Sequence, residues 1–153
     1  MYDEREELLK ALRANPVTLR VLVAGLDEAT VRQRPAEDEW SIVEVVAHLG
    51  DTEERTLERV RRMLDEDNPT LPAFDQAALA VERGYHEMDA VGALQRFLDL
   101  RAEHVGLLES LDDAGWRRPG IHEEQGPMTV QLYESHIAGE DADHLAQIAR
   151  MVG

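Results

Sequence analysis

Aliphatic residues recur at three- and four-residue intervals through four long stretches of this chain, a spacing that commits it to amphipathic helices packed on one another. The first stretch runs from about Asp3 to Leu26, the second from near Ser41 to Asp65, the third from about His86 to Leu111, and the fourth from near Met128 to the C-terminus. In the third, Val91, Leu94, Leu98, Val105 and Leu108 fall on one side; in the fourth, Val130, Ile137, Leu145, Ile148 and Val152 do so. A short helical segment near Asp75 to Arg83 precedes the third long helix. Punctuation separates them. Asn15-Pro16 predicts a break or kink that divides the first helix in two, Ser41 or Asp38 is placed to cap the second, and Asn68-Pro69-Thr70-Leu71-Pro72 ends it. Gly115 to Pro127, rich in glycine and proline, reads as a loop. The expected fold class is all-α, an antiparallel four-helix bundle formed by residues 1–153 as one domain. A domain of this size buries roughly 68–70% of the surface of its unfolded chain, enough for one sizeable core.

The composition narrows the chemistry. With no cysteine there is no disulfide, no thiolate metal site and no cysteine nucleophile, so a bound metal must be held by imidazole and carboxylate. Aromatic residues make up 5% of the chain, which favours helix packing over a sheet-rich core. The 32 acidic and 16 basic residues leave a formal charge of -16, a surface that repels phosphate backbones and anionic headgroups, so nucleic acid and membrane are not expected as partners. The opening Met1-Tyr2-Asp3-Glu4-Arg5-Glu6-Glu7 is unlike a signal peptide, no apolar run reaches membrane-spanning length, and a cytoplasmic location is expected.

One pair of side chains stands out. Glu140 and His144 are four residues apart on the fourth helix, which brings them to one face as a chelating clip. At 100° per residue from Val130, Glu140 falls at about 280° and His144 at about 320°, flanking the apolar stripe and turned toward a neighbouring helix. On the second helix, with Ile42 as origin, His48 lies at about 240°, on the border between core and solvent. A metal held at such a border keeps open positions for water or substrate. An i, i+4 Glu and His pair also forms ordinary surface hydrogen bonds, so the spacing alone leaves both readings open. His136 extends the row, but three side chains four residues apart span about 12 Å along a straight helix, too far for one ion, and it reads as a pocket-lining or supporting group.

Trp40-Ser41-Ile42-Val43-Glu44-Val45-Val46-Ala47-His48-Leu49-Gly50-Asp51-Thr52-Glu53, with Glu140-Asp141-Ala142-Asp143-His144-Leu145-Ala146-Gln147-Ile148 far downstream, resembles the paired motifs of the DinB/YfiT superfamily over nearly the whole chain. The resemblance implies a four-helix bundle that binds a divalent cation, commonly zinc or nickel, through positions matching His48, Glu140 and His144. Many members carry histidine where this chain has Glu140; the carboxylate is similar to the His-Glu-His set in the N-terminal, metal-binding domain of mycothiol-dependent maleylpyruvate isomerases. The function so implied is a metal-dependent thiol S-transferase that activates a low-molecular-weight thiol for attack on an electrophile. The alternatives are a metal-dependent hydrolase using activated water, with Glu53 or His136 as general base, and a non-catalytic, stress-associated metal-binding protein.

Other residues carry plainer expectations. Trp40 reads as core or cap packing, and His86, His104 and His122 as surface residues without partners. Glu53 and Asp141 project near the centres of their apolar stripes, so each needs either an arginine such as Arg55 or Arg101 or a place in the pocket wall. Leu8, Leu12, Leu19 and Leu22 on the first helix, with Val21 and Val23 beside them, spread apolar surface over more than one face and suggest a homodimer; the enzyme that the resemblance implies acts on a small-molecule substrate.

Overall fold

A computed structural model describes residues 3–153. Its helices are α1 (Glu4–Val23), α2 (Glu28–Arg32), α3 (Ile42–Asp65), α4 (Gln76–Glu82), α5 (Ala90–Glu109), α6 (Asp113–Trp116) and α7 (Val130–Val152), with a 3-10 turn at Tyr85–Glu87. Three short strands, β1 (Thr70–Leu71), β2 (Pro119–His122) and β3 (Gly126–Thr129), complete it. Each long helix begins at a side chain that accepts from the exposed backbone N–H groups of its first turn: Asp3 for α1, Ser41 for α3, Asp89 for α5 and Thr129 for α7. Ser41 and Glu44 form a full capping box, a feature whose loss costs about 1 kcal/mol.

The four long helices form a bundle in which α1 and α3 each lie against both α5 and α7. Arg5 reaches Gln131 and Asn15 reaches Asp141, so α1 and α7 run parallel. Asp51 meets Arg96 and Arg61 meets Glu103, so α3 and α5 do too. The expected antiparallel packing holds at the other two faces. His48 meets His144 and Thr56 meets Tyr133 across α3 and α7, while Leu9 clusters with Val105 and Leu19 with Phe97 across α1 and α5. Because α3 and α5 point the same way, residues 66–89 must travel back along the bundle, and they carry β1, α4 and the 3-10 turn.

The stretch expected to be a loop, Gly115 to Pro127, is structured. β2 pairs in parallel with β1 and antiparallel with β3, and the hairpin between them turns at Gly126, whose φ of +82° suits glycine. Gly120 lets β2 lie directly on α3: a Cβ there would meet Met63 Cγ at 3.0 Å. Pro16 does not divide the first helix, since α1 continues unbroken through it. Proline offers no N–H to the carbonyl four residues earlier. Arg101 supplies the missing donor, with Nη1 3.1 Å from the Leu12 carbonyl oxygen.

The apolar core is split in two. One cluster gathers Leu9, Leu12, Val60, Val105, Leu108 and Ile137, and the other Leu19, Val46, Leu49, Phe97 and Ile148. Between them lies a buried polar layer. Arg101 forks onto Asp141, with Nη1 and Nη2 each 2.8 Å from a carboxylate oxygen, and Nη2 also reaches Glu53 at 2.9 Å. His104 bridges Glu53 and Glu134 with one ring nitrogen on each. Asn15 donates to Asp141 from α1, so all four helices enter the layer.

This layer corrects two expectations. His104 is fully buried, and Glu53 is not a pocket base: it is 1% exposed, with both oxygens engaged by Arg101 and His104. Burial alone would raise the Glu53 pKa, but His104 and Arg101 overcome it and hold the carboxyl at about 2. Arg101, and not Arg55, is the arginine that answers both core carboxylates.

Candidate metal centre

His48 sits in the second turn of α3, 1% exposed, with its ring against Trp40 (centroids 5.0 Å apart) and against His144 of α7 (4.9 Å, edge-on). Trp40, just ahead of the Ser41 cap, thus packs on the histidine as well as on the core. The Nε2 atom of His48 is buried without a hydrogen-bond partner. A buried polar atom left unpaired is costly, commonly by about 1–3 kcal/mol, and calls for a partner such as an ordered water or an ion. Burial, followed by the nearby His144 and Arg55, lowers the His48 pKa to about 3, so its imidazole is neutral at physiological pH and offers a lone pair.

His144 is prepared in the complementary way. Its Nδ1 lies 3.0 Å from Gln147 Oε1, an acceptor, so Nδ1 carries the proton and Nε2 is left as the free lone pair. Gln147 therefore does for His144 what a carboxylate or carbonyl does for a metal-ligating histidine: it sets the tautomer and the ring orientation.

Glu140 stands one turn before His144 on α7 and lines a pocket that opens between α3 and α7. Two of the three expected ligands are thus in contact, and the third lines the pocket, which neither of those two histidines does. Among the described residues no group of three or more His, Asp or Glu side chains is placed to hold a metal ion, so Glu140 does not join the two imidazoles in this arrangement of side chains. Two packed imidazoles, one with an unpartnered buried nitrogen, offer the kind of donor that a divalent cation takes.

The pocket's walls follow from helical spacing. On α3, Thr52, Arg55 and Arg59 continue the face that begins at His48; on α7, Tyr133, His136 and Glu140 face them, with Phe74 and His122 closing the side. His136 lines this pocket, and its Nδ1 is buried without a partner. His122, expected at the surface, is 8% exposed; its Nδ1 accepts backbone N–H groups from Glu124 and Gln125, which leaves the neutral ring with its proton on Nε2. His86 is partly exposed, and its Nε2 lies 2.9 Å from the Arg32 carbonyl oxygen.

The sequence reading missed Arg55, Arg59, Tyr133 and His122 as pocket residues. For the first two a signal was present, since steps of four, three and four residues from His48 place Thr52, Arg55 and Arg59 on its face. His122 lies on an unanticipated strand, where nothing in the helical pattern pointed to it.

A family model described as the DinB superfamily matches residues 11–148. A Geobacillus kaustophilus protein is 28% identical over 149 residues, covering 97% of this chain and 84% of its own length. One from Oceanobacillus iheyensis is 23% identical, covering 95% of this chain and 84% of its own. Both are provisionally named metal-dependent hydrolases. The solved structure of YfiT from Bacillus subtilis, described as having an unusual four-helix bundle topology, superposes with a TM-score of 0.90 at 20% identity, covering 99% of this chain and 87% of that one. Among the described residues no helix is long and apolar enough to cross a membrane.

Proposed function

Because the chain belongs to the DinB superfamily, whose members similar to it carry names that assign metal dependence, we propose that it is a metal-dependent thiol S-transferase, with His48, Glu140 and His144 as the ligands of one divalent ion, zinc or nickel. The observation that carries the metal reading is the buried, unpartnered Nε2 of a His48 ring that packs edge-on against His144. A bound divalent cation supplies the positive charge that stabilises the anionic form of a small nucleophile at neutral pH. Trp40 and the neutral His48 ring keep one side of the centre dry, while Gln147 holds the His144 ring in register. With no cysteine in the chain, a thiol nucleophile must come from a low-molecular-weight cosubstrate.

Hydrolysis is the second reading, favoured by the names of the relatives and by His136. Its unpartnered Nδ1 on the pocket wall is placed to accept a proton from water. Zinc- or nickel-loaded protein that joins monochlorobimane to low-molecular-weight thiols, with a rate that falls at least a hundredfold in His48→Gln, supports thiol transfer. Turnover of esters or amides without thiol, lost in His136→Gln, supports hydrolysis. Inactivity in both panels, with one ion still bound per chain, leaves a non-catalytic metal-binding protein.

A further inference from the structure

Arginines of this chain usually find carboxylates, as expected where acidic residues outnumber basic ones two to one. Two in the pocket do not. Among the described residues neither Arg55 nor Arg59 forms an ion pair, whereas Arg61 and Arg62, farther along the same helix, pair with Glu103 and Glu66. The Arg55 guanidinium makes one hydrogen bond, a long one of 3.4 Å from Nη2 to Thr52 Oγ1. Arg59 donates to the Tyr133 hydroxyl at 3.2 Å and to the Pro72 carbonyl, while its Nε is buried without a partner.

Both guanidinium groups lie over the same ring, Arg55 at 4.7 Å and Arg59 at 5.3 Å from the centroid of Phe74, which is 44% exposed. Two cations gathered around one aromatic ring repel each other, and attraction to the ring is worth about 0.5–1 kcal/mol each at an exposed site. Glu124 and Glu140 also line the pocket, yet neither approaches either guanidinium closely enough to pair. A shared anion bridging the two forks removes the repulsion and supplies the acceptor that Arg59 Nε lacks.

We propose that Arg55 and Arg59 form an oxyanion subsite that takes a carboxylate or phosphate group of the substrate or cosubstrate. It lies along α3 from the metal centre: seven residues separate His48 from Arg55, a rise of roughly 10 Å. The molecule bound is therefore anionic, with its charged group held on the α3 side of the pocket. That this molecule is a substrate or cosubstrate rests on the metal-centre reading; the anion subsite itself does not need the ion.

The test uses the full chain, first freed of metal. Phenylphosphonate and phenylacetate present the two anionic groups on the same ring, and benzyl alcohol is the uncharged control. The Nε–Hε resonances of Arg55 and Arg59 are followed by NMR. Expected is a saturable shift with at least one anion, none with the alcohol, and binding weakened tenfold or more in Arg55→Gln; whichever anion binds more tightly identifies the class of group. Arg61→Gln should leave binding unchanged. Zinc titration against a competing chelator runs alongside, and Arg55→Gln should retain the parent's zinc affinity. Zinc binding without anion binding overturns the subsite alone, and anion binding without zinc overturns the metal reading alone. Equal response to the alcohol, or undiminished binding in Arg55→Gln, also overturns the subsite. Arg59→Gln also removes the bond to Pro72, so Arg55→Gln decides if that second variant fails to fold.

Discussion

Arg101 Nη1 donates to the carbonyl oxygen of Leu12, the one α1 carbonyl whose helical donor Pro16 removes. The same side chain forks onto Asp141 and touches Glu53, so the repair of a helix and the neutralisation of two core carboxylates fall to a single residue. Replacing Arg101 by Met strands two buried acids and one carbonyl and should destabilise the fold by about 3–5 kcal/mol. Restoring the N–H with Pro16→Ala should recover part of that loss, and should stabilise Arg101→Met more than it stabilises the parent. Urea unfolding of the four proteins in this cycle measures the coupling.

Stability should fall at both ends of the pH scale for reasons within the same layer. The Glu53 carboxyl is held at about 2, below its ordinary 4.5, so its contribution is full above pH 4.5 and is lost as pH falls toward 2. His104 is the opposite case. Burial would lower its pKa, but Glu134 and Glu53 outweigh burial and raise it from 6.5 to about 10, so its contribution is full below pH 6.5 and fades as pH rises through 10. Glu134, raised by its own burial, acts in the same direction as His104, because the pair holds a proton in common. Urea midpoints across pH 3–10 should show a maximum in mildly acidic solution, and His104→Gln should flatten the alkaline limb. A parent whose stability is unchanged from pH 6 to 10 contradicts this account.

The orphaned nitrogen of His48 makes a separate prediction. His48→Leu removes a buried polar atom that the metal-free protein leaves unpaired, so the variant should be as stable as the parent without metal, or more stable by about 1 kcal/mol, while losing zinc. Thermal melts with and without zinc check both halves: zinc should raise the melting temperature of the parent and not that of the variant.

Most of the outward apolar surface expected of α1 turns inward, since Leu8, Leu12 and Leu19 are buried. Val17 and Val21 remain 50% and 70% exposed on α1, and Val91, at the start of α5, is 76% exposed. A homodimer burying these valines is expected. Light scattering that gives about 35 kDa for the parent, from a chain of 17.3 kDa, and a smaller mass for Val21→Glu supports it. A mass of one chain at all concentrations contradicts it.

The long helices, the Ser41 cap and the approach of α3 to α7 were legible because each leaves a local or periodic mark. Glu53 and Asp141 announced the need for a partner by sitting on apolar stripes, and Arg101 was one of two residues proposed to answer them. His104 escaped because its partners are 51 and 30 residues away, although Phe97, Arg101, His104 and Leu108 share a core-facing stripe that could have exposed it. The short sheet was hidden because strands of two to four residues, set among Gly and Pro, are too brief to show alternation. Pro16 misled for a tertiary reason: the carbonyl it abandons is satisfied from another helix.

Glu140 sets this centre apart from a three-histidine one. Its carboxylate cancels one unit of the ion's charge, so harder, oxygen-preferring cations should also be accepted, and Glu140→Gln should weaken zinc binding strongly without unfolding α7, in which Glu140 is partly exposed. Competition titrations with zinc, nickel and manganese measure both effects.

The central claim is tested most directly by a crystal structure of the zinc-loaded protein with anomalous difference density collected at the zinc edge. The account predicts one strong peak per chain, about 2.0–2.1 Å from Nε2 of His48 and of His144 and about 2.0–2.2 Å from a Glu140 carboxylate oxygen. A peak coordinated by His136 in place of Glu140, or an ordered His48–His144 pair with no peak beside it, would contradict the account.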